Sequence, residues 1–86
     1  MIKYFVTIWL KTGNSERADY FVKQVRAVAE KHGIELSDEV SVAASKSRIT
    51  VYGAARTEES ANQKIEQLVS AIGTETGLKV KGRLMH

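Results

Sequence analysis

The sequence contains no cysteine and no apolar run near the roughly 20 residues that a membrane-spanning helix requires. Without cysteine, no disulfide framework can support the fold. The two histidines, His32 and His86, have no neighbouring residues that would complete a metal site, so we expect neither a metal nor a cofactor. The amino terminus lacks the apolar stretch of a secretory signal. The sequence therefore predicts a cytoplasmic protein with no membrane partner.

Groups of residues that would perform catalysis are also missing. Four serines that are candidate nucleophiles have no nearby histidine and acid to activate them: Ser15, Ser45, Ser47 and Ser60. The adjacent acids Glu58 and Glu59 point in different directions, so they cannot act as an acid and base pair. At 86 residues the chain is one domain, 1–86, with a modest core and no room for a sizeable buried cavity. We therefore expect a binding protein and not an enzyme.

The first stretch, residues 1–11, organises the rest of the chain. It is an unbroken run of β-branched and aromatic residues, which favours a central strand. Because side chains alternate along a strand, one face is a typical core: Ile2, Tyr4, Val6, Ile8 and Leu10. The other face combines aromatic rings with lysines: Lys3, Phe5, Thr7, Trp9 and Lys11. This second face is where we expect function.

The rest of the chain alternates between helical and extended patterns, read from apolar spacings of three and four residues or of two. The predicted elements are a helix over 16–32, a strand within 34–44, a strand over 48–52 ending at Gly53, a helix capped by Thr57 and stopped by Gly73, and a strand over 78–85 with Gly82 as a bulge. This order predicts an α+β ferredoxin-like βαββαβ sandwich. Its four-stranded antiparallel sheet would have strands one and three at the centre and both helices on one face.

The sheet's other side, here called the outer face, collects the outward side chains of these strands. Its aromatic residues are Phe5, Trp9 and Tyr52. Around them lie six of the chain's 13 Lys and Arg residues: Lys3, Lys11, Arg48, Lys79, Lys81 and Arg83. Rings surrounded by cations can stack unpaired bases and follow phosphates, so the pattern predicts binding of single-stranded RNA or DNA. The placement resembles an RNA-recognition sheet, although strand 48–52 lacks that family's glycine–aromatic–glycine signature.

Two other interpretations of the outer face remain open. Aromatic residues on an open sheet also suit a protein–protein interface, such as a homodimer or a phage- or plasmid-type regulator of a host complex. Clustered lysines weigh against a symmetric dimer, because like charges would meet across its axis. The face could also be a solvated surface on which the aromatic residues are incidental.

A family resemblance covers about two-thirds of the chain in short motifs. The motifs are Val6-Thr7-Ile8, Lys11-Thr12, Val40-Ser41-Val42 and Ile49-Thr50-Val51-Tyr52-Gly53-Ala54 before an acidic helix start. This layout resembles the DinI-like family, small damage-inducible proteins that modulate the RecA filament. The resemblance implies a βαββα scaffold acting on a recombination or repair machine, and it transfers no binding residue. The family's acidic carboxyl-terminal helix is replaced here by a nearly neutral helix and a basic strand.

Overall fold

The computed structural model describes residues 1–10, 15–43 and 48–85. Its elements follow the predicted order: β1 (Ile2–Trp9), α1 (Ser15–Lys31), β2 (Leu36–Val42), β3 (Arg48–Ala55), α2 (Glu58–Thr76) and β4 (Lys79–Leu84). The four strands form one antiparallel sheet in the order β2-β3-β1-β4. The predicted ferredoxin-like arrangement, with β1 and β3 central, is therefore confirmed.

The core lies between one face of this sheet and the two helices. As the alternation predicts, the inward side chains of β1 and β3 are buried: Tyr4, Val6, Ile8, Ile49, Val51 and Ala55. They meet the buried stripe of α2, which is Ala61, Ile65, Leu68 and Ile72. Ala18, Val25, Val28 and Ala29 of α1 belong to the same cluster, as do Leu10, Ile34 and Leu78 from the connecting segments. Packing this side of the sheet against both helices leaves the outer face uncovered by any element that the structure describes.

Both the second helix and the third strand run further than predicted. Helix α2 continues through Gly73 to Thr76, and Gly77 ends it in the left-handed conformation, with φ at 71°. The Gly77 amide donates to the Gly73 carbonyl at 2.9 Å, which caps a free carbonyl of the last turn. Strand β3 likewise continues through Gly53 to Ala55, because Gly53 pairs with Tyr4 in the ladder with β1.

Gly82 is not the bulge that the sequence analysis predicts. It pairs directly with Val6, and the register between β1 and β4 is continuous on both sides of it. A Cβ built on Gly82 would overlap the Cγ2 atom of Ile65 on α2. The glycine therefore allows α2 to lie close against β4.

The irregular part of the sheet is in β2 instead. Leu36 pairs with Gly53 but Val40 pairs with Val51, so four steps along β2 match two steps along β3. The guanidinium of Arg26 on α1 reaches this register shift. It donates to the carbonyl oxygens of Ser37 at 3.2 Å and Asp38 at 3.1 Å. Backbone groups that the ladder leaves free are thus satisfied by a helix side chain.

Candidate nucleic-acid interface

The register of β3, β1 and β4 orders the outer face into three cross-strand rows. The rows are Tyr52–Phe5–Arg83, Thr50–Thr7–Lys81 and Arg48–Trp9–Lys79. The first row holds two aromatic rings beside one cation, the middle row two hydroxyls beside one cation, and the third row one ring between two cations. The structure therefore brings together seven predicted site residues, with Phe5 and Trp9 on the same strand.

The indole of Trp9 is in contact with a cation. The Lys79 ammonium lies over this ring, 5.4 Å from its centroid, a distance typical of a cation–π interaction. Trp9, Phe5 and Tyr52 are all half-buried, whereas Lys79 is exposed. The rings are held by their neighbours in the sheet and still present part of their surface to solvent.

Hydroxyl groups link the strands across the outer face. Thr7 and Thr50 share a hydrogen bond at 3.3 Å between their Oγ1 atoms. The Tyr52 hydroxyl shares another with Ser41 Oγ of β2, at 2.8 Å. The second bond fixes the tip of the Tyr52 ring. Sequence reasoning missed Ser41, because its opposition to Thr50 depends on a pairing register that the alternation of β2 does not reveal.

The outer-face cations have no carboxylate partners within the described part of the chain. The ion pair found there joins Lys31 and Glu75 of the two helices, at 3.4 Å. Each cation on the outer face is also solvent-exposed. These residues are Lys3, Arg48, Lys79, Lys81 and Arg83. Lys11, also predicted to belong to this site, lies outside the described residues. The described part of the outer face therefore holds cations without carboxylate partners, with aromatic rings on its two central strands.

Lys3 lies beyond the three rows, opposite Ala54, and its carbonyl accepts from the Met85 amide at 2.8 Å. It borders a cleft of about 650 Å³ that also has Tyr52, Glu39 and Lys64 in its wall. The cleft lies beside the register shift in β2. Because lysines and glutamates both line it, the cleft does not extend the patch of positive charge.

Other kinds of site are not apparent in the residues that the structure describes. The described residues include no group of three histidine, cysteine or acidic side chains placed to hold a metal ion. Neither described helix is long and apolar enough to cross a bilayer. Burial raises the pKa of the Tyr4 phenol, but this group lies in the core on the opposite side of the sheet from the rows.

No protein-family model, curated protein or solved structure matches this chain significantly. The resemblance to the DinI-like family therefore stays a prediction.

Proposed function

We propose that this protein is a small, cytoplasmic, non-catalytic module that binds single-stranded nucleic acid through the outer face of its sheet. One observation supports this most strongly. The sheet register places every outer-face ring in a row with a cation that has no carboxylate partner among the described residues. Bases can stack on the rings while the cations contact the phosphates of the same strand.

The composition of the face favours nucleic acid over a second copy of the chain. In a symmetric dimer through this face, the lysines and arginines of one copy would meet those of the other, and like charges brought together cost several kcal/mol. A polyanion instead gains from each cation that it contacts, and it releases counterions as it binds. The ten outward positions of β1, β3 and β4 include no acid, and Glu39 on edge strand β2 is the acid at the border of the face. The ten are Lys3, Phe5, Thr7, Trp9, Arg48, Thr50, Tyr52, Lys79, Lys81 and Arg83.

The test is a titration of a labelled single-stranded oligonucleotide of about twelve nucleotides, followed by fluorescence anisotropy. Wild-type protein should bind saturably and more weakly at higher salt. Trp9→Ala and Tyr52→Ala should each cost about 1 to 3 kcal/mol, the contribution of one stacked base. Lys81→Ala should weaken binding and make the dependence on salt shallower by about 0.7 in log–log slope.

A matched control is Lys23→Ala on α1, an exposed helix residue on the other side of the sheet. It removes the same charge as Lys81→Ala and should leave binding nearly unchanged. If neither aromatic substitution alters the affinity, stacking on this face is refuted. If the protein binds no oligonucleotide but self-associates or captures a protein through Trp9 and Tyr52, the outer face is a protein interface.

A further inference from the structure

The three rows of the outer face repeat at a regular distance along the strands. Successive rows are two residues apart, and a strand rises about 3.4 Å per residue, so the rows lie about 6.8 Å from one another. This is about twice the 3.4 Å rise per nucleotide of a stacked B-form strand. An unstacked single strand, drawn out to twice its stacked rise, would place one nucleotide on each row.

The charges on the two edges of the sheet determine on which side the phosphates would lie. Edge strand β4 contributes one exposed cation to each row, Lys79, Lys81 and Arg83, with no acid between them. Edge strand β2 instead carries Asp38 and Glu39. Phosphates are attracted to the first edge and repelled by the second. The sugar–phosphate backbone therefore fits along β4, with its bases directed over β1 and β3.

The rings occupy only the first and third of the three rows. Trp9 and Phe5 are four residues apart on β1, or about 14 Å, with the Thr7–Thr50 pair between them. A base over the middle row meets two hydroxyls, which can bond to the edge of any base and therefore discriminate weakly. A base on either outer row meets a ring. On the Trp9 row, a base that stacks on the ring face under the Lys79 ammonium would displace it, and a phosphate over β4 gives it a new partner.

We propose that the outer face binds a three-nucleotide unit of unpaired strand, with its phosphates along β4, its first and third bases stacked on the rings, and its middle base over Thr7 and Thr50. This inference rests on the proposed function. It requires unpaired bases, because in a duplex each base is stacked at half the row spacing and its faces are covered. Except through the free base faces at its ends, double-stranded nucleic acid should therefore compete poorly with single strands for the outer face.

The test uses 5′-phosphorylated oligothymidylates and oligouridylates of increasing length, competed against a labelled single strand of about twelve nucleotides. Affinity should rise steeply with length up to three nucleotides. Beyond that, it should rise only in proportion to the number of three-nucleotide stretches that the oligonucleotide contains. For the trinucleotide, whose three phosphates match three cations, the log–log salt slope should be about −2, at about −0.7 per phosphate.

Trinucleotides that lack one base provide the decisive comparison. An abasic residue at the first or third position should weaken binding about 5- to 150-fold, the loss of one stack, whereas one in the middle should cost less than about threefold. Equal losses at all three positions, or affinity that climbs evenly through six nucleotides, would overturn the three-nucleotide unit and leave the proposed function intact. Failure of the twelve-nucleotide strand itself to bind would overturn both.

Discussion

Tyr4 is the residue whose substitution has the clearest expected effect on stability. Its side chain is fully inaccessible, and among the described residues its hydroxyl has no hydrogen-bond partner. A buried polar group without a partner costs about 1 to 3 kcal/mol. We therefore expect Tyr4→Phe to leave the free energy of unfolding unchanged or to raise it by about 1 kcal/mol, measured by urea unfolding at neutral pH.

Tyr4→Phe should also reduce the decrease in the free energy of unfolding at alkaline pH. Burial raises the pKa of Tyr4, so the fold favours the protonated phenol. Stability from this group is fully present well below pH 10, where tyrosine in the unfolded chain is half ionised, and it is lost as the pH rises through the higher folded-state value. Wild-type protein should thus lose more stability than Tyr4→Phe between neutral and strongly alkaline pH.

Tyr52→Phe is the control for Tyr4→Phe, because the Tyr52 hydroxyl has a partner in Ser41 at 2.8 Å. Removing it should cost about 0.5 to 1 kcal/mol at neutral pH instead of gaining stability. A loss of more than about 1 kcal/mol in Tyr4→Phe would mean that the buried hydroxyl has a partner after all.

At the scale of elements, the contact between α2 and β4 depends on Gly82. A Cβ at this position would overlap Ile65 Cγ2 and lie 3.3 Å from Val6 Cγ2. The Cγ2 branch is attached to Cβ, next to the helix backbone, so relieving the overlap requires either a disfavoured χ1 rotamer of Ile65 or a shift of α2. We expect Gly82→Ala to lower the free energy of unfolding by about 1 to 3 kcal/mol, the usual cost of overpacking, as measured by urea denaturation.

Gly73→Ala provides a control for the same chemical change within α2. A Cβ there meets nothing closer than the Leu78 carbonyl at 4.0 Å, so it should stabilise the helix by about 0.5 to 1 kcal/mol. Combining Gly82→Ala with Ile65→Ala should cost less than the sum of the two changes, because the second removes the overlapping atom. Strict additivity would show that the overlap is relieved elsewhere.

The elements themselves were largely predictable, and the misses share a physical cause. Alternation in β1 and β3 and the helical spacing in α2 follow from local sequence, so their buried residues came out as expected. Gly73 and Gly82 were misread because a glycine stops a helix or forms a bulge only if the neighbouring structure allows it. Residues 74–76 continue the helix past Gly73, and Gly82 gives space to a residue 17 positions earlier, Ile65.

At the scale of the whole molecule, repulsion between the cations of the outer face should lower the free energy of unfolding. Lys79, Lys81 and Arg83 alternate along one side of β4, about 6.8 Å apart, with no carboxylate within ion-pair distance among the described residues. Like charges this close repel one another in low salt and are screened within a few ångströms in molar salt. We expect Lys81→Gln to raise stability by a few tenths of a kcal/mol at low salt and by nothing in molar salt, measured by urea unfolding.

Lys23→Gln changes the net charge equally, away from this cluster, and should show no such salt-dependent gain. If both variants gained equally at low salt, the cause would be the net charge of the chain and not the outer face. A gain in stability confined to Lys81→Gln would show that the native lysine lowers stability at a position that we expect to bind phosphate.

Part of the candidate site could be predicted from the alternation of residues along each strand, and the rest depends on how the strands pair. A period of two is enough to place Phe5, Trp9 and Tyr52 on one face with the cations. The rows additionally require the pairing register, and the Ser41–Tyr52 bond requires the register in which Ser41 lies opposite Thr50. The polar residues of β2 do not fix that register, so only the three-dimensional structure reveals it.

The register shift in β2 also bears on how copies of this protein behave when crowded together. An open sheet can grow into a ribbon if the edge strand of one copy pairs with the opposite edge of the next. Here the acidic β2 edge and the basic β4 edge would attract each other, which favours such growth. The shift breaks the straight ladder it requires, and Arg26 already occupies the carbonyls of Ser37 and Asp38. We therefore expect the irregularity to disfavour pairing between the sheet edges of neighbouring copies.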